Sequence, residues 1–483
     1  MEELSADLAA WIKKGFALRY IYILLLAILF TSCSSSKVEP AVPIVQDVKK
    51  DILIKIDENL SCIELPKKEL PQTIKIDDLR NIPQNVASFS KNISANPPLY
   101  DIQSRFERYY FNIWNMERPK EDLKSVKWPF FSYCAGKSYG ENLQLLEQSF
   151  FDEMQNNANF EEYATLNAKG VTLKESNMRS FPTIRPLLKN PSLAGEGFPF
   201  DYLQNSTVHA NSPIFISHYS KDREWAYVFS SFASGWIRSS EFVILEKKHI
   251  DTWQKAQQVA ITEENKPIYD IEGNFLFKSK IGMVFALVSE DEEAYTILTV
   301  SSYKNSKPLF LKSKISKEIA TKEVLKLNEA NLATVINQVS KTNYGWGGMY
   351  EQRDCSSMLR DMFAPFGIWL PRNSFQQSKV GRVITFKNLS DEEKISVIKE
   401  KAVPFETLLY KKGHIVLYVG THDDEIIVFH NVWGIKTKKD GVEGRVIIGK
   451  PIFSTLRLGR GENNFDEEAE LLRNLISMNI LTQ

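Results

Sequence analysis

Gly413-His-Ile-Val-Leu-Tyr-Val-Gly420 and Ile426-Ile-Val-Phe-His-Asn-Val-Trp433 are two β-rich runs separated only by the polar turn around Thr421-His-Asp-Asp-Glu425. Runs of this kind joined by so short a connection are constrained to an antiparallel hairpin. One histidine opens the first strand and another lies in the second, so strand pairing can set His414 and His430 side by side. Adjacent imidazoles invite a division of labour in which one is a base and the other orients it.

The partner for such a base lies upstream. Tyr344-Gly-Trp-Gly-Gly348 is followed by Arg353-Asp-Cys-Ser-Ser357, and then by Met358, Leu359, Met362 and Phe363 at helical spacing. The pattern predicts a helix over 356–365 with Cys355 near its N-terminus. There the helix dipole and unpaired N–H groups favour a thiolate, the form of cysteine that attacks carbonyls. Cys355, His414 and His430 are therefore expected to act as nucleophile, base and orienting group. Oxyanion donors are expected from the backbone of 345–348 or from the Cys355 amide. His209, His218, His249 and His422 carry no comparable pattern.

Residues from about 326 to 470, with Leu370-Pro-Arg-Asn-Ser374 after the nucleophile helix, resemble the NlpC/p60 family of papain-like cell-wall peptidases. The resemblance implies cleavage between γ-D-glutamate and a diamino acid in peptidoglycan stem peptides. It also implies that Asp354 meets a free L-Ala amine and that Ser356 and Ser374 hold the D-Glu carboxylate, with Trp346 in the same substrate site. Asp354 standing only as a helix cap is the competing reading.

The upstream half resembles the first bacterial SH3-like domain of multidomain NlpC/p60 lipoproteins. The stretches concerned are Asn177-Met-Arg-Ser-Phe-Pro-Thr183, Gly195-Glu-Gly-Phe-Pro-Phe-Asp-Tyr-Leu-Gln-Asn-Ser206, His218-Tyr-Ser-Lys-Asp-Arg-Glu-Trp225 and Gly235-Trp236. Short strands between Pro, Gly and Asn turns fit a small barrel. A second such unit is expected after Lys266, with strands at 268–275 and 294–300. Related single-barrel members carry a tyrosine just before the Pro-Gly-Trp turn of this domain, but here Ala233-Ser-Gly-Trp236 stands in its place, so Asp201 and Tyr202 are taken as the substitute substrate contacts.

The expected fold is multidomain α+β: a papain-like catalytic domain at 326–483, preceded by SH3-like barrels at 173–248 and 249–325 and a helical stabilising segment at 99–172. Within that segment, 102–111 and 142–154 have helical patterns. Residues 34–98, rich in Pro and polar groups, are expected to form a tether. Residues 1–33 resemble a lipoprotein signal peptide: Lys13, Lys14 and Arg19 precede ten apolar residues, too few to span a bilayer comfortably, and then Thr31-Ser-Cys-Ser-Ser-Ser36. Cys33 is the expected lipidation site, and Ser34 resembles the sorting pattern for an outer membrane, giving an anchor that faces the periplasm.

Lys and Arg total 60 against 60 Asp and Glu, so no global charge draws the 483-residue chain to nucleic acid. With Cys33 carrying the lipid, Cys62, Cys134 and Cys355 remain in the folded protein, which permits one disulfide between Cys62 and Cys134 and one free thiol. No metal or organic cofactor is implied. The expected activity is hydrolysis of stem peptides; a silent wall-binding lipoprotein, or an acyltransferase using the same thiolate, are the alternatives.

Overall fold

The structure, a computed structural model, describes residues 76–93, 102–303 and 307–483. Cys33, Cys62 and the apolar run at 21–30 lie outside them. Among the described residues no helix is long and apolar enough to cross a membrane.

The C-terminal domain is built on a six-stranded antiparallel sheet. Its spatial order is Arg382–Thr385, Ser477–Ile480, Thr407–Lys411, His414–His422, Glu425–Lys439 and Val442–Thr455. The expected hairpin forms, and its two-residue turn places Asp423 and Asp424 at φ 49° and 67°. Aspartate tolerates this left-handed backbone, which matches the twist of paired strands. The helix Cys355–Phe363 lies against the sheet. Met358, Leu359, Met362 and Phe363 are fully buried among Ile415, Leu417 and Phe429, and this packing fixes the helix start next to the strand that carries His414.

The first SH3-like unit is a seven-stranded antiparallel sheet that includes Ala168–Thr172, which pairs with Pro213–Tyr219 and Phe242–Ile244. That strand corrects the expected boundary at 173. The second unit has a five-stranded sheet and a two-stranded ribbon. The run at 268–275 is not one strand: Pro267–Tyr269 and Phe275–Lys278 flank a turn that Gly273 permits at φ 88°. Ala294–Tyr303 is a strand, longer than expected.

The N-terminal segment forms Ile102–Tyr110 and Gln148–Asn157. The second helix starts later than 142, because Gly140 donates to the Gln144 carbonyl and Leu143 takes φ 59°, closing a turn there. Phe106, Tyr110 and Trp114 pack with Trp253 and Trp236 in one aromatic core, joining this segment to both barrels. Residues 76–93 do not run as a free tether. Val86 and Phe89 are buried in the catalytic core, and Gln84 exchanges hydrogen bonds with Phe453 at 2.7 and 3.1 Å.

Candidate active site

Cys355 opens into a cleft of about 500 Å³ between the catalytic domain and the first SH3-like unit. Tyr344, Asp354, Ser356, Arg372 and Ser374 line one wall; Tyr202, Gln204 and Asn205 line the other, with Glu121, Trp128 and Tyr133 contributed by the N-terminal segment. The structure thus brings Asp354, Ser356, Ser374, Trp346 and Tyr202 to the same opening as the thiol.

The two histidines are adjacent. Pairing of Leu417 with Phe429 sets His430 beside Val416, diagonal to His414 on the same face, and the rings lie 5.1 Å apart. His414 Nε2 is 2.8 Å from His430 Nδ1, and His430 Nε2 is 2.9 Å from Ser454 Oγ. Ser454 Oγ also lies 3.0 Å from the Thr455 carbonyl, an acceptor for its one hydrogen. With the hydroxyl so directed, His430 carries its proton on Nε2 and accepts at Nδ1, His414 donates from Nε2, and His414 Nδ1 keeps a lone pair.

Both imidazoles are neutral. Burial, and then Lys411, hold His414 down to about 3, while burial, His414 and Lys411 keep His430 well below its ordinary value. Burial works against the thiolate expectation. Burial first, and then the neighbouring Asp354 carboxylate, push the Cys355 thiol up to about 12, against the Ile415 and Ser356 amides and Arg372. Desolvation outweighs the helix dipole. At rest the thiol and both imidazoles are uncharged.

Asp354 caps the helix in a reciprocal box with Ser357, whose amide lies 2.8 Å from Asp354 Oδ1. It is also held by Arg372, with Nη2 to Oδ2 at 2.6 Å and Nη1 to Oδ1 at 3.2 Å. Burial opposes the Asp354 charge, but Arg372 and the helix donors outweigh it and keep the carboxyl below its ordinary value. Arg372 also donates to Ser356 Oγ at 3.0 Å and Ser206 Oγ at 2.8 Å, so it ties the cap, the cleft floor and the SH3-like wall together. Its place inside the Leu370-Pro-Arg-Asn-Ser374 run was visible in sequence, but not its role. Tyr344, partly buried beside Cys355 and Asp354, is a second cleft residue that sequence reasoning left without a role.

Two expectations need correction. Asp201 does not face the cleft: its carboxylate takes Arg179 at 2.5 Å and the amides of Leu187 and Leu203 at 3.0 and 2.9 Å. Only its carbonyl reaches the interface, where it accepts from the Trp346 indole at 2.9 Å. Nor does the glycine block face the thiol as a set of oxyanion donors. The Gly345 and Gly348 amides bond to the Arg353 and Gly345 carbonyls, and the block docks onto the first SH3-like unit. A side-chain carbon on Gly347 would sit 2.5 Å from the Gln204 carbonyl oxygen, and one on Gly348 would sit 2.4 Å from Thr207 Oγ1. Glycine is needed there for close approach between domains.

No group of three or more His, Cys, Asp or Glu side chains suited to a metal is present among the described residues. Cys134 is an exposed free thiol.

Residues 341–439 match the NlpC/P60 family, 22–163 its N-terminal stabilising domain, 186–238 an SH3 domain of SH3b1 type and 247–292 one of SH3b2 type. The chain is a multidomain NlpC/P60 protein. NlpC/P60 is a cysteine peptidase family of the cell wall, and the Cys355 cleft lies in its domain. The fold is similar to that of an NlpC/P60 endopeptidase from Photobacterium damselae subsp. piscicida, with TM-score 0.72 and 23% identity over 83% of this chain and 98% of that one. An NlpC/P60 family protein from Bacillus cereus ATCC 10987 aligns with TM-score 0.41 and 14% identity over 58% of this chain and 82% of that one. No curated protein matches the chain.

The proton arrangement makes Ser454 a positioning residue with a testable signature. Ser454→Ala removes the acceptor that orients His430, and on the scale known for partners that orient metal-bound imidazoles the cost is ~10-fold to ~100-fold. The expected loss is in kcat with KM unchanged and an altered pH profile, and Ser454→Thr should restore activity by returning a hydroxyl. A wild-type pH profile and rate in Ser454→Ala would remove Ser454 from the relay.

Proposed function

We propose that this NlpC/P60 protein is a cysteine endopeptidase that cuts the bond between γ-D-glutamate and a diamino acid in peptidoglycan stems, favouring stems with a free N-terminal L-Ala. The observation that carries the reading is the partly buried Asp354–Arg372 pair beside Cys355 at the floor of a cleft walled by the first SH3-like unit. A carboxylate and a guanidinium next to one another match a peptide end that carries an ammonium and a carboxylate. Ser356 and Ser374 offer hydroxyls to that carboxylate.

In this reaction Cys355 Sγ attacks the γ-carbonyl carbon as His414 Nδ1 takes the thiol proton. The Cys355 amide, at the first turn of its helix, is placed to meet the developing oxyanion. Collapse of the intermediate breaks the C–N bond, His414 returns its proton to the leaving amine, and water then hydrolyses the thioester by the same base.

The test is a competition between free stem peptides and the same stems attached to glycan, since attachment turns the L-Ala amine into an uncharged amide. Wild type should prefer the free stems. Asp354→Asn retains a capping side chain but loses the charge, and should lose most of the preference, at roughly 2–5 kcal/mol for an unpaired charge partner. An unchanged ratio would leave Asp354 as a cap alone and point to intact wall as the substrate.

The same proposal places the protein in the cell envelope on a lipid at Cys33, in an outer membrane facing the periplasm. Cys33→Ala should move the protein from the membrane to the soluble fraction and abolish fatty-acid labelling. Label retained by that variant would refute the anchor site.

A further inference from the structure

The strand Val442–Thr455 is the outer strand of the catalytic sheet: it pairs with Glu425–Lys439 on one side and, among the described residues, with no strand on the other. An edge of this kind leaves a row of backbone N–H and C=O groups that need partners. Ser454, whose hydroxyl meets His430, lies on this strand. Backbone groups alternate between the two sides of a strand, and those of Phe453 and Thr455, the two neighbours of Ser454, point outward.

Residues 76–93 close that edge with side chains. Gln84 Nε2 donates to the Phe453 carbonyl at 2.7 Å and the Phe453 amide donates to Gln84 Oε1 at 3.1 Å, the exchange that a neighbouring strand would make. The Thr455 amide and hydroxyl both donate to Asp78 Oδ2, each at 2.9 Å. Phe89 stacks on the Phe453 ring at 5.0 Å from within the core. Ser454 therefore stands between two residues that are pinned from outside the sheet. The Thr455 carbonyl is also the acceptor toward which the Ser454 hydroxyl is directed, so one chain of contacts runs from Asp78 through Thr455 and Ser454 to His430 and His414.

We propose that Asp78 and Gln84 are positioning residues of the peptidase site, which hold the outer strand in the place where Ser454 orients His430. Neither lines the Cys355 cleft, so neither touches substrate; both act through Ser454. Gln84 is exposed and Asp78 only partly buried, so the two contribute directed hydrogen bonds rather than core packing, and replacing them loosens the strand edge without opening a cavity. The arrangement makes the histidine pair complete only while residues 76–93 lie on the sheet, and thereby ties turnover to the segment that precedes the N-terminal helices. This rests on the peptidase reading above and on the contact of Ser454 with His430, and it extends the site to a part of the chain far from the thiol in sequence.

Steady-state kinetics of the full-length protein on a free stem peptide tests the assignment. Gln84→Ala is expected to lower kcat about tenfold with KM unchanged, short of the ~100-fold that a misplacement of about 1 Å can cost. Asp78→Ala should do the same, and Asp78→Asn, which keeps an acceptor for the Thr455 amide, should stay closer to wild type. Added to Ser454→Ala, Gln84→Ala should cost little more, because residues that act through one contact are not additive. Wild-type kcat in both Gln84→Ala and Asp78→Ala, or a Gln84→Ala loss that multiplies in full with that of Ser454→Ala, overturns the proposal. Thermal melting identifies a variant that has not folded, and the two substitutions at separate points of the edge serve as safeguards for each other. A second readout needs no substrate: in nitrogen NMR spectra of histidine-labelled protein, Gln84→Ala should shift the His430 ring signals in the direction that Ser454→Ala shifts them, and unmoved signals overturn the assignment. Failure of the wild type to cut any stem peptide sinks the proposed activity instead, while the ring signals still decide the role of Asp78 and Gln84.

Discussion

Cys355→Ala is expected to lower turnover of stem peptides by about a thousandfold or more while leaving the fold intact. The residue is 8% exposed at the start of its helix, and the core beneath it is made by Met358, Leu359, Met362 and Phe363. Removing one sulfur at the cleft floor should therefore leave stability nearly unchanged. His414→Ala should be almost as damaging, since a thiol pushed up to about 12 does not ionise unaided near neutral pH. His430→Ala should be milder, because it removes an orienting partner and leaves the base in place. Steady-state rates on one defined peptide, with circular dichroism for each variant, provide the check. Turnover near wild type in Cys355→Ala would end the assignment of the nucleophile, and equal losses at His414 and His430 would show that base and orienter are misassigned.

The acid limb of the rate profile follows from the same arrangement. His414 acts as a base only when neutral, and its pKa is held down to about 3, so activity should persist well below the ordinary imidazole midpoint of ~6.5. A limb centred near ~6.5 would mean that substrate or water reaches His414 and relieves the burial that depresses it.

The hairpin and the nucleophile helix were legible because each is written in local periodicity. Alternation from His414 to Gly420 and helical spacing from Met358 to Phe363 need no distant residue to be understood. Ser454 and Arg372 were not legible, since their meaning depends on which strand or loop lies opposite. The misreadings have physical causes too. Glycines at 345–348 were consistent with backbone close to a ligand, but a neighbouring domain needs the same freedom, and here the neighbour is Gln204 and Thr207. Asp201 was chosen by residue type within a loop, and residue type does not say that the carboxylate turns inward to Arg179. The thiolate expectation counted the helix dipole and could not count burial.

His209, which carried no signal in sequence, sits in the feature with the largest expected effect on stability. Its ring bridges Glu175 of the first SH3-like unit at 2.7 Å and Asp361 of the nucleophile helix at 3.0 Å. Asp361 also takes Arg353 at 2.7 Å and Arg360 at 2.6 Å, and Arg353 continues to Glu264 of the second unit at 2.8 Å. His209, Glu264, Arg353, Arg360 and Asp361 are buried and Glu175 is partly so, and three domains meet on this largely desolvated charge network. Burial alone would lower the His209 pKa, but Glu175 and Asp361 outweigh it and raise it to about 9. Asp361 in turn lies well below the carboxylate range, since Arg360, His209 and Arg353 outweigh its burial. Asp361→Asn therefore leaves three cations facing one another without their central anion. The expected loss is about 3–5 kcal/mol, the cost of breaking a buried ion pair from one side.

The pH dependence has a defined sign. The His209 contribution is full below its unfolded value of ~6.5 and is lost as pH rises through about 9, whereas the Asp361 contribution is present above ~3.9 and is lost as pH falls below that. Stability from this network should thus be greatest between those limits, and Asp361→Asn should flatten both flanks. Arg353 joins the network to catalysis: it immediately precedes Asp354, and its carbonyl accepts from Asn431, the neighbour of His430, at 2.6 Å. A variant weakened here should lose activity along with domain docking, because the cap, the thiol and the histidine strand share that anchor. Denaturant unfolding of full-length wild type and Asp361→Asn across pH measures the effect. A loss below ~1 kcal/mol with unchanged pH dependence would mean that solvent screens the network and that apolar packing alone holds the domains together.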